Sequence, residues 1–101
     1  MIVIAGTVRV NPDRRDDALA AARAMATATR REPGCAAYRF AVDIDDQNVV
    51  HLFEEWTDAD ALKAHFETPH MATFRNAIAG VLAAPPEFRR YEVSAAGALF
   101  V

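Results

Sequence analysis

The sequence has one cysteine, four glycines and no apolar run longer than five residues. A lone cysteine, Cys35, excludes an internal disulfide and any cysteine-based zinc pattern. Apolar runs of that length fall far short of the ~20 residues that cross a bilayer. The opening residues, MIVIAGTVRV, carry no basic n-region of a signal peptide, so a cytoplasmic location is expected. Basic residues do not predominate: 11 Lys and Arg stand against 14 Asp and Glu, for a net charge of −3. That balance argues against nucleic acid as a partner, and the pairs Arg30–Arg31 and Arg89–Arg90 read as solvated surface. There is no GxGxxG, no P-loop and no nucleophile elbow. Nothing therefore points to a nicotinamide, flavin or nucleotide, and no cofactor is expected.

What is present is a chain of 101 residues with 52% apolar side chains, enough for one domain over 1–101. Residues 2–10 alternate as a strand, with Ile2, Ile4, Val8 and Val10 on one face and Gly6 leaving a gap in that row. Either a bulge or the close approach of a ligand or another backbone explains the gap. Asn11-Pro12 opens a helix, with Asn11 as its cap. Ala18, Leu19, Ala22, Met25, Ala26 and Thr29 form a small-residue stripe along it, and Pro33-Gly34 ends it. Residues 35–43 and 49–56 read as strands joined by the polar turn Asp45-Asp46-Gln47-Asn48, a hairpin. Thr57 and Asp58 offer a cap, with Asp60 completing an approximate capping box. Leu62, His65 and Phe66 share one face of the helix that follows. Thr68-Pro69 restarts the helix, whose apolar face is Met71, Phe74, Ile78 and Leu82 and which runs to Pro85-Pro86. Residues 88–95 form the last strand, followed by the apolar tail GALFV.

The order β-α-β-β-α-β implies an α+β, ferredoxin-like fold: a four-stranded antiparallel sheet with helices on one face. The third strand is apolar on both sides. Helices cover only one of them, so the other is expected to pack against a second copy as a homodimer.

The only Trp and all three histidines lie within His51–Met71. Trp56 closes the third strand, Glu54 shares its face, and His65 lies on the inward stripe of the next helix. An indole wall and an imidazole that takes a proton near neutral pH suit binding and deprotonating an aromatic hydroxyl. Trp56 and His65 are the candidate catalytic pair; a core plug and a hydrogen-bonded buried histidine are the plainer reading. Glu54 is a second candidate on that face. Tyr38 either aims its hydroxyl into the same cleft or fills the core. Leu62, Phe66 and Phe74, on the inward helical stripes, are candidate substrate-binding residues. His70 is expected to bond locally or face solvent, and His51 to lie at the sheet–sheet interface. A metal is not expected, because His65 and His70 stand five apart across a Thr-Pro break instead of at i, i+4.

EPGCAAYRFAVD (32–43) followed by FEEWTDADALKAHFETPHM (53–71) resembles the antibiotic biosynthesis monooxygenase family, quinol monooxygenases included, over nearly the whole chain. The resemblance implies a dimeric α+β barrel with a pocket between sheet and helices in each subunit. It implies cofactor-free oxygenation of phenols, hydroquinones or anthrones by O2, with Trp56 lining the pocket and His65 as polar partner. Haem-degrading relatives carry an Asn on the first strand where this chain has Gly6 or Thr7, which argues against haem degradation. Two alternatives stand beside the monooxygenase: a non-oxidative isomerase of a small metabolite, and a small-molecule-binding dimer without turnover.

Overall fold

The computed structural model describes residues 1–100; Val101, the end of the apolar tail, lies outside the described residues. The elements run β1 (Ile2–Arg9), a short 3-10 turn (Pro12–Arg14), α1 (Arg15–Thr29), β2 (Cys35–Val42), β3 (Val49–Trp56), α2 (Ala59–Phe66), α3 (Pro69–Ile78) and β4 (Glu87–Glu92). The strands form one antiparallel sheet in the order β2-β3-β1-β4, the ferredoxin-like arrangement expected. Among the described residues no helix is long and apolar enough to cross a membrane.

Strand alternation sorts side chains into rows across the sheet. On the helix side, Tyr38 pairs with Glu54, Glu54 with Ile4 and Ile4 with Arg90. The next row is Phe40, Leu52, Gly6 and Phe88. A Cβ at Gly6 would collide with the Glu87 carbonyl and the Phe88 ring. The gap in the apolar row thus admits a neighbouring backbone and an aromatic ring.

The stripe on α1 is buried as its spacing requires: Ala18, Ala22, Met25, Ala26 and Thr29 are buried, and Leu19 is half-buried. Small side chains let α1 lie close to the sheet. Met25 and Ala26 join Ile2, Tyr38, Leu52, Trp56 and Leu62 in one core; Ala18 joins Val10, Val50 and Val81 in another. The β2–β3 turn is tied by Asp43, whose Oδ2 accepts from the N–H groups of Asp45 and Asp46 at 3.0 Å.

Four details depart from expectation. Asn11 does not cap the first helix; its side-chain amide donates to the Gly80 carbonyl at 3.2 Å, tethering a loop 69 residues away. Of the two caps offered, Asp58 is the one that caps α2, accepting from the Ala61 N–H at 2.8 Å, so the box of Thr57 with Asp60 is not the cap. The last helix stops at Ile78, well before Pro85-Pro86, because Gly80 at φ +77 reverses the chain and buries Val81. β4 covers Glu87–Glu92, shifted from 88–95 because its pairing with β1 ends where β1 begins.

Candidate active site

α2 and α3 are two short helices with a break between them, and the break is built. Thr68 Oγ1 accepts from the Met71 N–H at 3.2 Å, capping α3, and donates to the His65 carbonyl at 2.8 Å. α3 follows with no buried residue. Its apolar side chains Met71, Phe74 and Ile78 are only half-buried: Met71 and Phe74 touch the edge of the core, and all three line a cavity.

That cavity holds about 500 Å³ between the helices and the inner face of the sheet. Tyr38, Glu54, Ile4 and Phe40 form its floor, and Leu62, Phe66, Met71 and Phe74 its opposite wall. Three arginines also line it, Arg75 from α3 and Arg89 and Arg90 from β4. Glu54 is its one carboxylate among the described residues. Its size and apolar lining suit a ligand of a few fused or linked rings.

Tyr38, Glu54, Leu62, Phe66 and Phe74 therefore meet around one space, although they come from four elements. Trp56 and His65 are placed differently. The two rings pack at 4.7 Å between centroids, as their positions suggested, but both residues are 0% exposed. Trp56 does not line the cavity: its indole N–H donates to Glu54 Oε1 at 2.9 Å, and the ring stands behind the wall. A fully buried indole must satisfy its N–H within the protein, and the carboxylate two residues back on the same strand face is the group within reach.

Burial pushes the Glu54 carboxyl up from 4.5 to about 7; the indole bond pulls it down and the negative charge of Glu32 raises it. Burial likewise raises the Tyr38 hydroxyl, with Glu54 adding to the effect. Desolvation holds His65 below the usual histidine range, against the upward pull of its bond to Glu32. A neutral imidazole with Nδ1 2.7 Å from a carboxylate carries its proton there, and His65 Nε2 is buried without a partner among the described residues.

Glu32 is the residue sequence reasoning passed over. Its Oε2 lies 2.7 Å from His65 Nδ1 and 2.7 Å from His70 Nε2. His70, expected to bond locally or face solvent, instead reaches a carboxylate 38 residues away. One signal was available: Glu32 follows the C-terminus of α1, the end of a helix dipole that disfavours an acid. An acid there has a partner elsewhere. His51 lies on the opposite side of the sheet, paired with Asp43 Oδ1 at 2.7 Å.

A sequence model of the antibiotic biosynthesis monooxygenase family matches residues 1–77. The Synechocystis sp. protein sll1783 is 34% identical over 93 residues, covering 92% of this chain but 63% of that longer relative. A Bacillus subtilis protein named "Putative monooxygenase YcnE" is 32% identical over 94 residues, covering 93% of this chain and 99% of its own. Among solved structures, a Nitrosomonas europaea protein described by the same family name superposes with a TM-score of 0.89 at 26% identity. It covers 94% of this chain and 100% of its own. Strand order, cavity and extended similarity agree: the chain belongs to the antibiotic biosynthesis monooxygenase family.

Proposed function

We propose that the cavity binds an electron-rich aromatic of the hydroquinone, phenol or anthrone type and that the protein oxygenates it with O2, without a cofactor. The observation that carries this reading is a largely apolar cavity with a single carboxylate, Glu54, in its floor, held by an indole from behind. Near neutral pH that carboxylate is balanced between its two protonation states, which suits a general base. Glu54 takes the role of base in place of His65, because Glu54 is the one that reaches the cavity.

For an anthrone the steps balance as follows. Glu54 takes one proton from the ring methylene, which is the hydroxyl proton in the phenol tautomer, and the electron-rich anion passes one electron to O2. The substrate radical and superoxide recombine at the ring methylene carbon, forming a C–O bond. Protonated Glu54 returns its proton as the O–O bond breaks, and the carbon loses its second hydrogen. The products are a quinone carbonyl and one water. The chain contributes orientation on the aromatic walls and a dry space in which the charge of the anion is poorly solvated.

In this reading the active form is a homodimer whose sheets pack face to face as a dimeric α+β barrel. Phe53 at 40% and Tyr91 at 46% exposure lie on the outer face of the sheet, where a second copy would cover them.

An oxygen electrode with a panel of hydroquinones and anthrones tests the activity. Uptake above autoxidation, reduced at least tenfold in Glu54→Gln, supports it. Uptake at the autoxidation rate, or uptake indifferent to the substitution, overturns it. Arg75 and Arg90 favour a second reading, isomerisation of a small anionic metabolite. Product mass separates the two, since an isomerase adds no oxygen atom.

A further inference from the structure

The cluster behind the cavity wall is not used by the chemistry above. Glu32 comes from the loop after α1, His65 from the last turn of α2 and His70 from the first turn of α3. One carboxylate oxygen and two imidazole nitrogens, His65 Nδ1 and His70 Nε2, all lie within 4.8 Å of one another. The Thr-Pro break, counted together with the five-residue spacing against a metal, has the opposite effect: it turns α3 so that His65 and His70 converge on a single point.

We propose that Glu32, His65 and His70 form a binding site for one divalent transition-metal ion, a two-histidine, one-carboxylate centre. The donor set defines the class of ion. Two nitrogens and one oxygen suit Zn²⁺ and its first-row neighbours, whereas Ca²⁺ and Mg²⁺ call for oxygen ligands. Ligands about 2.0–2.2 Å from such an ion stand roughly 3 Å or more from each other. The separations of 2.7 Å must open by a few tenths of an ångström, which a swing of the Glu32 side chain in its loop supplies. His65 changes tautomer, moving its proton to Nε2, the ring atom without a partner, so no net proton is released there. The Glu32 and His65 side chains are 10% and 1% exposed; His70, at 26%, marks the side from which the ion enters and a water completes its shell. None of the three lines the cavity, so the ion acts as a clip joining α2 and α3 to the loop behind Trp56.

The test uses the full chain, stripped with EDTA and exchanged into chelator-free buffer. It is titrated with ZnCl2 by calorimetry and with CoCl2 by visible absorption. One equivalent bound per chain, a raised melting temperature and Co²⁺ bands typical of a low-coordinate N/O site are expected. His70→Ala, at a partly exposed position, should weaken binding at least about tenfold. Glu32→Gln should do the same, and His51→Ala should leave binding unchanged. No saturable binding shows that the cluster is a hydrogen-bond network only and overturns the proposal. So does binding that survives His70→Ala, or binding lost in His51→Ala, which would place the ion at the exposed His51–Asp43 pair.

Discussion

Trp56 donates its indole N–H to Glu54 Oε1 at 2.9 Å, a bond between two buried side chains two residues apart on one face of β3. Strand alternation alone puts them on the same side of the sheet. The bond then fixes one carboxylate oxygen and leaves the other for the cavity. It also moderates the Glu54 pKa: burial, the larger effect, raises it, and the indole pulls it back by stabilising the charged form.

Glu54→Gln should flatten the pH dependence of stability. The folded pKa, about 7, lies above the unfolded value of 4.5, so the folded state binds the proton more tightly. The wild type is then most stable below the unfolded pKa, and stability falls as pH rises through the folded one. The loss is on the order of 3 kcal/mol. Besides burial itself, the groups acting on Glu54 are the Trp56 indole, which lowers its pKa, and the Glu32 carboxylate, which raises it. Urea denaturation at pH 4.5 and pH 8 checks this; equal slopes for the two proteins would refute it.

Trp56→Phe removes the donor and leaves space in the core. A loss of roughly 2–4 kcal/mol follows from the missing bond and the imperfectly filled volume. Without the indole, the Glu54 pKa should climb further, moving the rising, acid-side limb of the pH–rate profile to higher pH. An unchanged profile would mean that the indole does not tune the carboxylate.

Gly6→Ala should be strongly destabilising, by about 2–4 kcal/mol, because a Cβ meets the Glu87 carbonyl and the Phe88 ring at the β1–β4 seam. Gly97→Ala, with nothing within 4 Å of its Cβ, is the neutral control. Thermal melts of both variants decide it.

Phe53→Asp places a charge on the exposed outer face without touching the core. The wild type should sediment as a dimer at micromolar concentration and the variant as a monomer with unchanged secondary structure. A wild-type protein that sediments as a single chain would end the face-to-face reading.

Much of the fold was legible because its causes are local. The period-2 runs at 2–10, 35–43 and 49–56 correspond to β1, β2 and β3 within a residue, and the alanine-rich stripe to α1. The helix break at Thr68-Pro69 was legible for the same reason: a hydroxyl cap and a proline act on their own neighbours. The end of the last helix was not, because Gly80 and the Asn11 tether that holds its loop depend on a partner 69 residues away. At the site, shared-face reasoning brought Tyr38, Glu54, Leu62, Phe66 and Phe74 to one region. It did not distinguish a residue on a cavity from one behind it. Trp56 and His65 have the parity of wall residues and none of the exposure.

The sequence by itself determined the strands, the helices, their order and which side chains share a face, since these follow from periodicity and near-neighbour sterics. Only the tertiary structure decided where space is left over. α3 stands off the sheet far enough to keep Met71, Phe74 and Ile78 half-buried, and that stand-off creates the cavity over Glu54. The same packing draws Glu32 to His65 and His70. Contacts between residues more than thirty positions apart depend on how whole elements settle against one another, and no local pattern encodes that distance.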